Sequence, residues 1–64
     1  MRRSDFWARM YRNFGEAYAE SFAQDYALAE LGSRTVQQAL LSGFDAKDVW
    51  RAVCDEMKLP ASER

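Results

Sequence analysis

The side chains of this sequence that could do chemistry are few, and their types exclude most kinds of catalytic site. The chain contains no histidine and a single cysteine, Cys54. Histidine-dependent triads, a cysteine–histidine nucleophile pair and histidine metal ligands are therefore excluded. The sequence also contains no glycine-rich phosphate loop, no paired general acid and base, and no cluster with metal-ligand spacing. We predict a protein that is not an enzyme, with no catalytic residue, no cofactor and no metal site.

Cys54 itself lies four residues after Trp50, at the edge of an apolar stripe, with Asp55 and Glu56 next to it. A reactive thiol needs nearby positive charge or a helix N-terminus to lower its pKa, and this position has neither. We interpret Cys54 as a small packed residue. A single cysteine cannot form a disulfide within the chain, which favours the reducing cytoplasm as the location.

Basic side chains offer a different chemistry, the binding of phosphates or carboxylates. Lys47 and Arg51 are four residues apart near the C-terminal end, and Arg9 and Arg12 lie near the N-terminal end. These four residues are candidate contacts for a partner. Nine basic and ten acidic residues give a net charge of −1, which by itself indicates no class of partner.

The elements that must position these residues are helices, because apolar residues recur with helical spacing and no run alternates as a strand does. Ser4, Thr35 and Asp45 are predicted N-caps, and Gly15 is a predicted stop. The predicted helices cover residues 4–14, 16–27, 36–42 and 46–57. The alternative at the first boundary is one continuous helix through Gly15, since an isolated glycine costs only about 1 kcal/mol there.

These helices predict an all-α fold, a compact bundle of about four short helices without strands that forms one small domain over residues 1–64. The predicted core consists of Trp7, Phe14, Phe22, Leu40, Val49, Trp50 and Val53. Tyr18 and Tyr26, spaced four residues on either side of Phe22, are also interpreted as core, with hydroxyls that can reach the surface. We expect Pro60 and the polar residues 61–64 to be a fraying end.

Charge is unevenly distributed, with +3 over residues 1–12 and −3 over residues 13–34. Within the acidic part, Asp25 falls on the apolar flank of its predicted helix, and we expect it to be partly buried. A buried carboxylate needs a partner, and Arg34 is the nearest basic residue that follows it. We therefore predict a structural ion pair between Asp25 and Arg34.

Several strings of residues resemble one known family. They are Phe6-Trp7, Phe14 to Ala19, Gly32, Arg34 to Val36, Ala39-Leu40, Gly43, Asp45 and Asp48 to Cys54. In these strings the chain resembles a family of short actinobacterial proteins known as domain of unknown function 3046, and the resemblance extends over nearly the whole chain. The family has no established activity, so the resemblance implies no catalytic or binding residue. Ala46 departs from it, since the family often has proline at that position.

The segment from Val36 to Val53 has the outline of a helix-turn-helix, with a short helix, a turn at Gly43 and a second helix. Asp45 and Asp48 begin the second helix, and their carboxylates would repel phosphates, which weakens the prediction of DNA binding. The same region resembles ubiquitin-associated-type three-helix modules, in which a Gly-Phe loop exposes an aromatic residue to a partner. By that resemblance Phe44 is a candidate contact residue; the alternative is that it packs onto the last helix as a hydrophobic staple.

We expect a small, soluble, cytoplasmic protein whose function is protein–protein interaction or regulation. The longest stretch without a formal charge, Thr35 to Phe44, is about half as long as a membrane-spanning helix, so no membrane contact is expected. The alternative function is nucleic-acid binding through the helix-turn-helix-like hairpin and the N-terminal arginines. Homodimerisation, which would complete an undersized core, is a third possibility, so the chain is expected to be a monomer or a homodimer.

Overall fold

The computed structural model describes residues 1–64 and consists of four α-helices with two short 3₁₀ turns. The helices are α1 (Arg3–Phe14), α2 (Glu16–Asp25), α3 (Val36–Leu41) and α4 (Ala46–Met57), and the 3₁₀ turns cover Ala29–Leu31 and Ala61–Glu63. The chain has no strand, and its only β-type pairing is an isolated bridge between Leu28 and Arg34. The prediction of an all-α bundle of four short helices is confirmed.

Gly15 separates α1 from α2. Its φ of 80° and ψ of 156° lie in a region that residues with a Cβ avoid, and its N–H donates to the Tyr11 carbonyl at 2.8 Å. The predicted break is therefore present. The predicted cap at Ser4 is wrong, because Phe6 N–H donates to the Arg2 carbonyl at 3.0 Å and so closes the first turn ahead of Ser4. Arg2 occupies the N-cap position without a side-chain hydrogen bond.

The connection after α2 contains a 3₁₀ turn and a short backbone pairing. The helix ends at Asp25, two residues earlier than predicted, and Tyr26 is extended. Leu28 N–H then donates to the Arg34 carbonyl at 2.9 Å, which closes the segment into a loop around a 3₁₀ turn. Leu28 and Leu31 are both buried in the core. Helical periodicity missed them because their burial depends on this non-helical path.

The predicted caps of the last two helices are confirmed. Thr35 Oγ1 accepts from Gln38 N–H at 3.1 Å, and Gln38 Oε1 accepts from Thr35 N–H at 3.0 Å, which completes a capping box at the start of α3. At the start of α4, Asp45 Oδ1 accepts from Lys47 N–H at 3.0 Å. These caps satisfy amide groups that no helical carbonyl reaches.

The core collects apolar side chains from all four helices and from the connection after α2. Five of the seven predicted core residues are buried, namely Phe22, Leu40, Val49, Trp50 and Val53. Trp7 and Phe14 are only partly buried against this core. Phe6 and Met10 take the fully buried positions of α1 instead, and the Phe6 ring meets Trp50 edge-on at 5.9 Å. The buried face of α1 therefore consists of Phe6 and Met10, two residues four positions apart on its apolar side.

The C-terminal segment folds back onto α1 and α4, so the prediction of a fraying end is wrong. Trp50 Nε1 donates to the Glu63 carbonyl oxygen at 2.6 Å. The Glu63 carboxylate accepts from Arg12 at 2.7 Å and from Asn13 at 3.0 Å. These long-range hydrogen bonds hold in place a polar segment whose composition alone predicts a fraying end.

Candidate functional site

Cys54 is the only nucleophilic thiol of the chain, and it lies in the core. Its side chain is fully buried, and burial raises the pKa of the thiol above its ordinary value. Its thiol donates a weak hydrogen bond to the Glu63 carbonyl oxygen at 3.9 Å. The interpretation of Cys54 as a packed residue is confirmed. No group of three or more cysteine, aspartate and glutamate side chains is arranged to hold a metal ion.

Arg34 makes contacts other than the predicted one, and the predicted ion pair between Asp25 and Arg34 does not form. The Arg34 guanidinium donates to the Leu31 carbonyl at 2.9 Å and lies 5.4 Å from the centroid of the Phe44 ring. Asp25 is exposed and has no ion-pair partner. The early end of α2 at Asp25 and the loop closed by Leu28 turn Arg34 toward Phe44 instead.

Phe44, the predicted contact of the loop before α4, is half-buried and packs against the core. Its N–H donates to the Ala39 carbonyl at 3.0 Å, so its backbone is fixed to α3. The Arg34 guanidinium covers one side of the ring, within the range of a cation–π contact. These contacts leave only part of the ring accessible to a partner.

Lys47 and Arg51 lie on the exposed side of α4, where they line a depression of about 190 Å³ together with Met1, Trp50, Asp55 and Arg64. Three basic side chains therefore meet in one place. Two of them have a carboxylate near them, because Arg51 lies 3.7 Å from Asp48 and Arg64 forms an ion pair with Asp55. Exposed pairs of this kind are weak, so the basic groups remain accessible to an anion.

Arg9 and Arg12, the two N-terminal candidate contacts, differ in the contacts that they make within the fold. Arg12 forms an ion pair with Glu63 at 2.7 Å, and the hydrogen bonds from Arg12 and then Asn13 lower the pKa of that carboxyl. Arg9 is half-buried, and its carbonyl accepts from Asn13 at 2.8 Å. The structure therefore does not bring Arg9 and Arg12 together with Lys47 and Arg51 in one depression.

An apolar groove lies between α1 and α3. It has a volume of about 240 Å³, and we call it the α1–α3 groove; its lining residues are Arg3, Trp7, Gln37, Leu40 and Leu41. Leu41 is 85% exposed, more than any other large apolar side chain. Arg3 Nη2 donates to the Leu40 carbonyl at 3.0 Å and so ties the start of α1 to the end of α3.

Sequence reasoning missed Leu41, although a signal was present. Val36, Ala39 and Leu40 have the spacing of one helical face, and Leu41 lies about 100° beyond Leu40, outside that face. Leu40 is the buried residue, at 6% exposure.

The outer face of α2 carries a second groove, which we call the tyrosine groove. Its volume is about 170 Å³, and it is lined by Tyr18, Ser21, Phe22, Asp25 and Tyr26. Tyr18 is 51% exposed and Tyr26 is 41% exposed, so the prediction that both are core residues is wrong. The aromatic residues do recur every four positions. The buried residues of α2 are Ala19, Phe22 and Ala23, so Phe22 is the only one of the three aromatic residues in the core.

None of the four helices has the length and apolar character that crossing a bilayer requires. The chain belongs to the family described as protein of unknown function, DUF3046, because the sequence model of that family matches residues 1–62. No curated protein and no solved structure matches the chain. The family carries no assigned activity, substrate or partner that could be transferred to these grooves.

Proposed function

We propose that this member of the DUF3046 family is a non-catalytic module that binds another protein through the α1–α3 groove. The observation that carries the proposal is the exposure of Leu41, 85% accessible beside the partly buried indole of Trp7. A large apolar side chain that adjoins a groove is a typical anchor for a protein partner. Neither the net charge nor the resemblance to the family by itself favours the α1–α3 groove.

The composition of the groove supports a protein partner. Three of its five lining residues are apolar, and the other two are Arg3 and Gln37. Apolar and aromatic centres with arginine at the edge are common in protein interfaces. Arg3 is held in place by its hydrogen bond to the Leu40 carbonyl, so little side-chain entropy is lost when a partner binds.

Two further observations support a non-catalytic, cytoplasmic role. The thiol of Cys54 is buried and its pKa is raised, which disfavours the thiolate needed for nucleophilic chemistry. The cysteine is also free, as is usual in the reducing cytoplasm.

The proposal is tested by affinity capture with three forms of the protein, the wild type, Leu41→Ser and Gln24→Ser. Both substituted positions are exposed, so each variant should keep its free energy of unfolding within about 0.5 kcal/mol of wild type. We expect a protein from an extract of the source cells to be retained by the wild type and Gln24→Ser and lost with Leu41→Ser. Retention of the same proteins by all three forms would contradict the proposal.

A photocrosslinking amino acid at position 41 identifies what occupies the groove. A crosslink to a different protein supports the proposal. A crosslink between two copies of this chain, accompanied by a dimer in sedimentation equilibrium, would instead assign the groove to a homodimer interface.

A second candidate function is nucleic-acid binding through the surface around α4. It is favoured by the depression that brings Lys47, Arg51 and Arg64 together, and it is opposed by the carboxylates of Asp48 and Asp55 beside them. Fluorescence anisotropy with labelled duplex and single-stranded DNA at about 50 and 200 mM salt tests it, because phosphate contacts weaken steeply with salt. Salt-sensitive binding that the double variant Lys47→Ala, Arg51→Ala abolishes would replace the first proposal.

A further inference from the structure

The tyrosine groove shares no residue with the α1–α3 groove and has a different chemistry. Two exposed phenol rings and a carboxylate line it, whereas an indole, two leucines, an arginine and a glutamine line the α1–α3 groove. A ligand of the tyrosine groove therefore needs a different chemistry from a ligand of the α1–α3 groove.

The aromatic walls of the groove are held in place by packing. The Phe22 and Tyr26 rings are stacked, with centroids 4.9 Å apart and planes at 17°, and Phe14 stacks on Phe22 at 5.6 Å. Tyr18 contacts both Phe14 and Phe22. The Tyr26 hydroxyl donates to Glu56 at 2.6 Å, which fixes the ring from the side of α4. The ring faces are thus preorganised, and their ordering costs a ligand little.

Negative charge around this groove is not neutralised within the molecule. Asp25 is exposed, lines the groove and has no ion-pair partner. Arg34 is the only basic residue between positions 13 and 34, where the net charge is −3. Its guanidinium is engaged by the Leu31 carbonyl and the Phe44 ring, so it does not compensate Asp25.

Exposed aromatic faces beside an unpaired carboxylate are complementary to an organic cation. The ring quadrupole attracts the cation, and the carboxylate accepts its hydrogen bonds. An arginine side chain fits better than a lysine, because the planar guanidinium both stacks on an aromatic ring and donates in parallel to a carboxylate.

From these contacts we propose that the tyrosine groove binds an arginine side chain from a basic segment of a partner protein. The guanidinium stacks on the ring of Tyr18, the more exposed of the two tyrosines, and Asp25 accepts its hydrogen bonds. The inference goes beyond the function proposed for the α1–α3 groove and holds whether or not that groove binds a protein.

The test is a titration of the ¹⁵N-labelled whole chain with a hexa-arginine peptide, followed by NMR. The comparison peptides are hexa-citrulline, which has nearly the same shape without the charge, and hexa-lysine. We expect hexa-arginine to shift the amide signals of Tyr18, Ser21 and Asp25, hexa-lysine to bind more weakly, and hexa-citrulline to cause no shift. Equal binding of citrulline, or equal binding of lysine and arginine, would overturn the assignment.

Two variants and two controls localise the binding. Tyr18→Leu and Asp25→Asn should each weaken hexa-arginine binding by about two- to five-fold, the range expected for one exposed cation–π or ion-pair contact. Asp48→Asn is the matched control, because it removes the same charge from an exposed position on α4. Equal weakening by Asp25→Asn and Asp48→Asn would show general electrostatic attraction and overturn the proposal. Leu41→Ser should leave this binding unchanged, so the two proposals fail independently.

Discussion

Glu63 is the residue whose contacts connect the most distant parts of the chain. Its carboxylate accepts from Arg12 and Asn13 on α1, and its carbonyl accepts from the indole of Trp50 on α4. One residue therefore joins two helices through both its side chain and its backbone. No spacing rule predicts such contacts, because the partners lie 50 or more positions away on α1 and 13 positions away on α4.

The lowered pKa of Glu63 makes a part of the stability depend on pH. Because the pKa is lower in the folded than in the unfolded state, the ionised carboxyl stabilises the fold above the ordinary glutamate value of about 4.3. That contribution is lost as the pH falls through the folded-state value. We expect the urea midpoint of the wild type to fall more steeply between about pH 6 and pH 3 than that of Glu63→Gln, with the two curves converging in acid.

Asp25→Asn is the control for this measurement, since it removes an exposed carboxylate that has no ion pair. The fall of its urea midpoint in acid should exceed that of Glu63→Gln, because the Arg12 and Asn13 hydrogen bonds to Glu63 are intact in it. A Glu63→Gln curve that is parallel to the wild type would contradict the role of the Arg12 and Asn13 hydrogen bonds.

At the scale of the helices, the sequence predicted those features that depend on interactions between neighbouring residues. The caps at Thr35 and Asp45 and the break at Gly15 depend on neighbouring residues alone, and all three are present. Ser4 shows the limit of this reasoning. It has a favourable cap residue type, yet the helix begins ahead of it because the backbone of Arg2 is free to accept from Phe6.

The two serine and threonine positions make a matched pair of stability tests. Thr35→Ala removes the hydroxyl that accepts from Gln38 N–H, and we expect it to cost about 1 kcal/mol of unfolding free energy. Ser4→Ala removes a hydroxyl that caps nothing, and we expect a change within about 0.5 kcal/mol. Urea unfolding followed by circular dichroism measures both, and an equal loss in the two variants would contradict the assignment of the α1 cap.

At the scale of the whole molecule, the sequence predicted the fold class but not the proposed binding surfaces. Helical periodicity identified Phe22, Val49, Trp50 and Val53 as core because their helices bury one continuous stripe. The exposure of Tyr18 depends on how the helices pack together, and that information is not contained in the spacing of its own helix, whereas the exposure of Leu41 agrees with its position beyond the buried face of α3. Both proposed grooves follow from this tertiary arrangement.

Because the chain is short, its C-terminal segment is important for the stability of the fold. A domain of this length buries only about 60% of its unfolded surface, so contacts outside the main helices are a sizeable part of its stability. Removal of residues 60–64 would leave the Trp50 indole N–H without its acceptor and Arg12 without its ion pair. Exchange of one intramolecular hydrogen bond for a bond to water costs about 0.5–1.5 kcal/mol, and each 1 kcal/mol shifts the Tm of a domain this small by about 4–8 °C.

We therefore expect the truncated chain to melt several degrees below the wild type, with a red shift of tryptophan fluorescence as the indole of Trp50 is exposed to water. Removal of Arg64 alone is the control, because it deletes one exposed ion pair with Asp55 and leaves Glu63 in place. That control should change the free energy of unfolding by no more than about 1 kcal/mol. If the chain without residues 60–64 melts at the wild-type temperature, the segment is a fraying end as its composition suggests, and the contacts of Glu63 do not stabilise the fold.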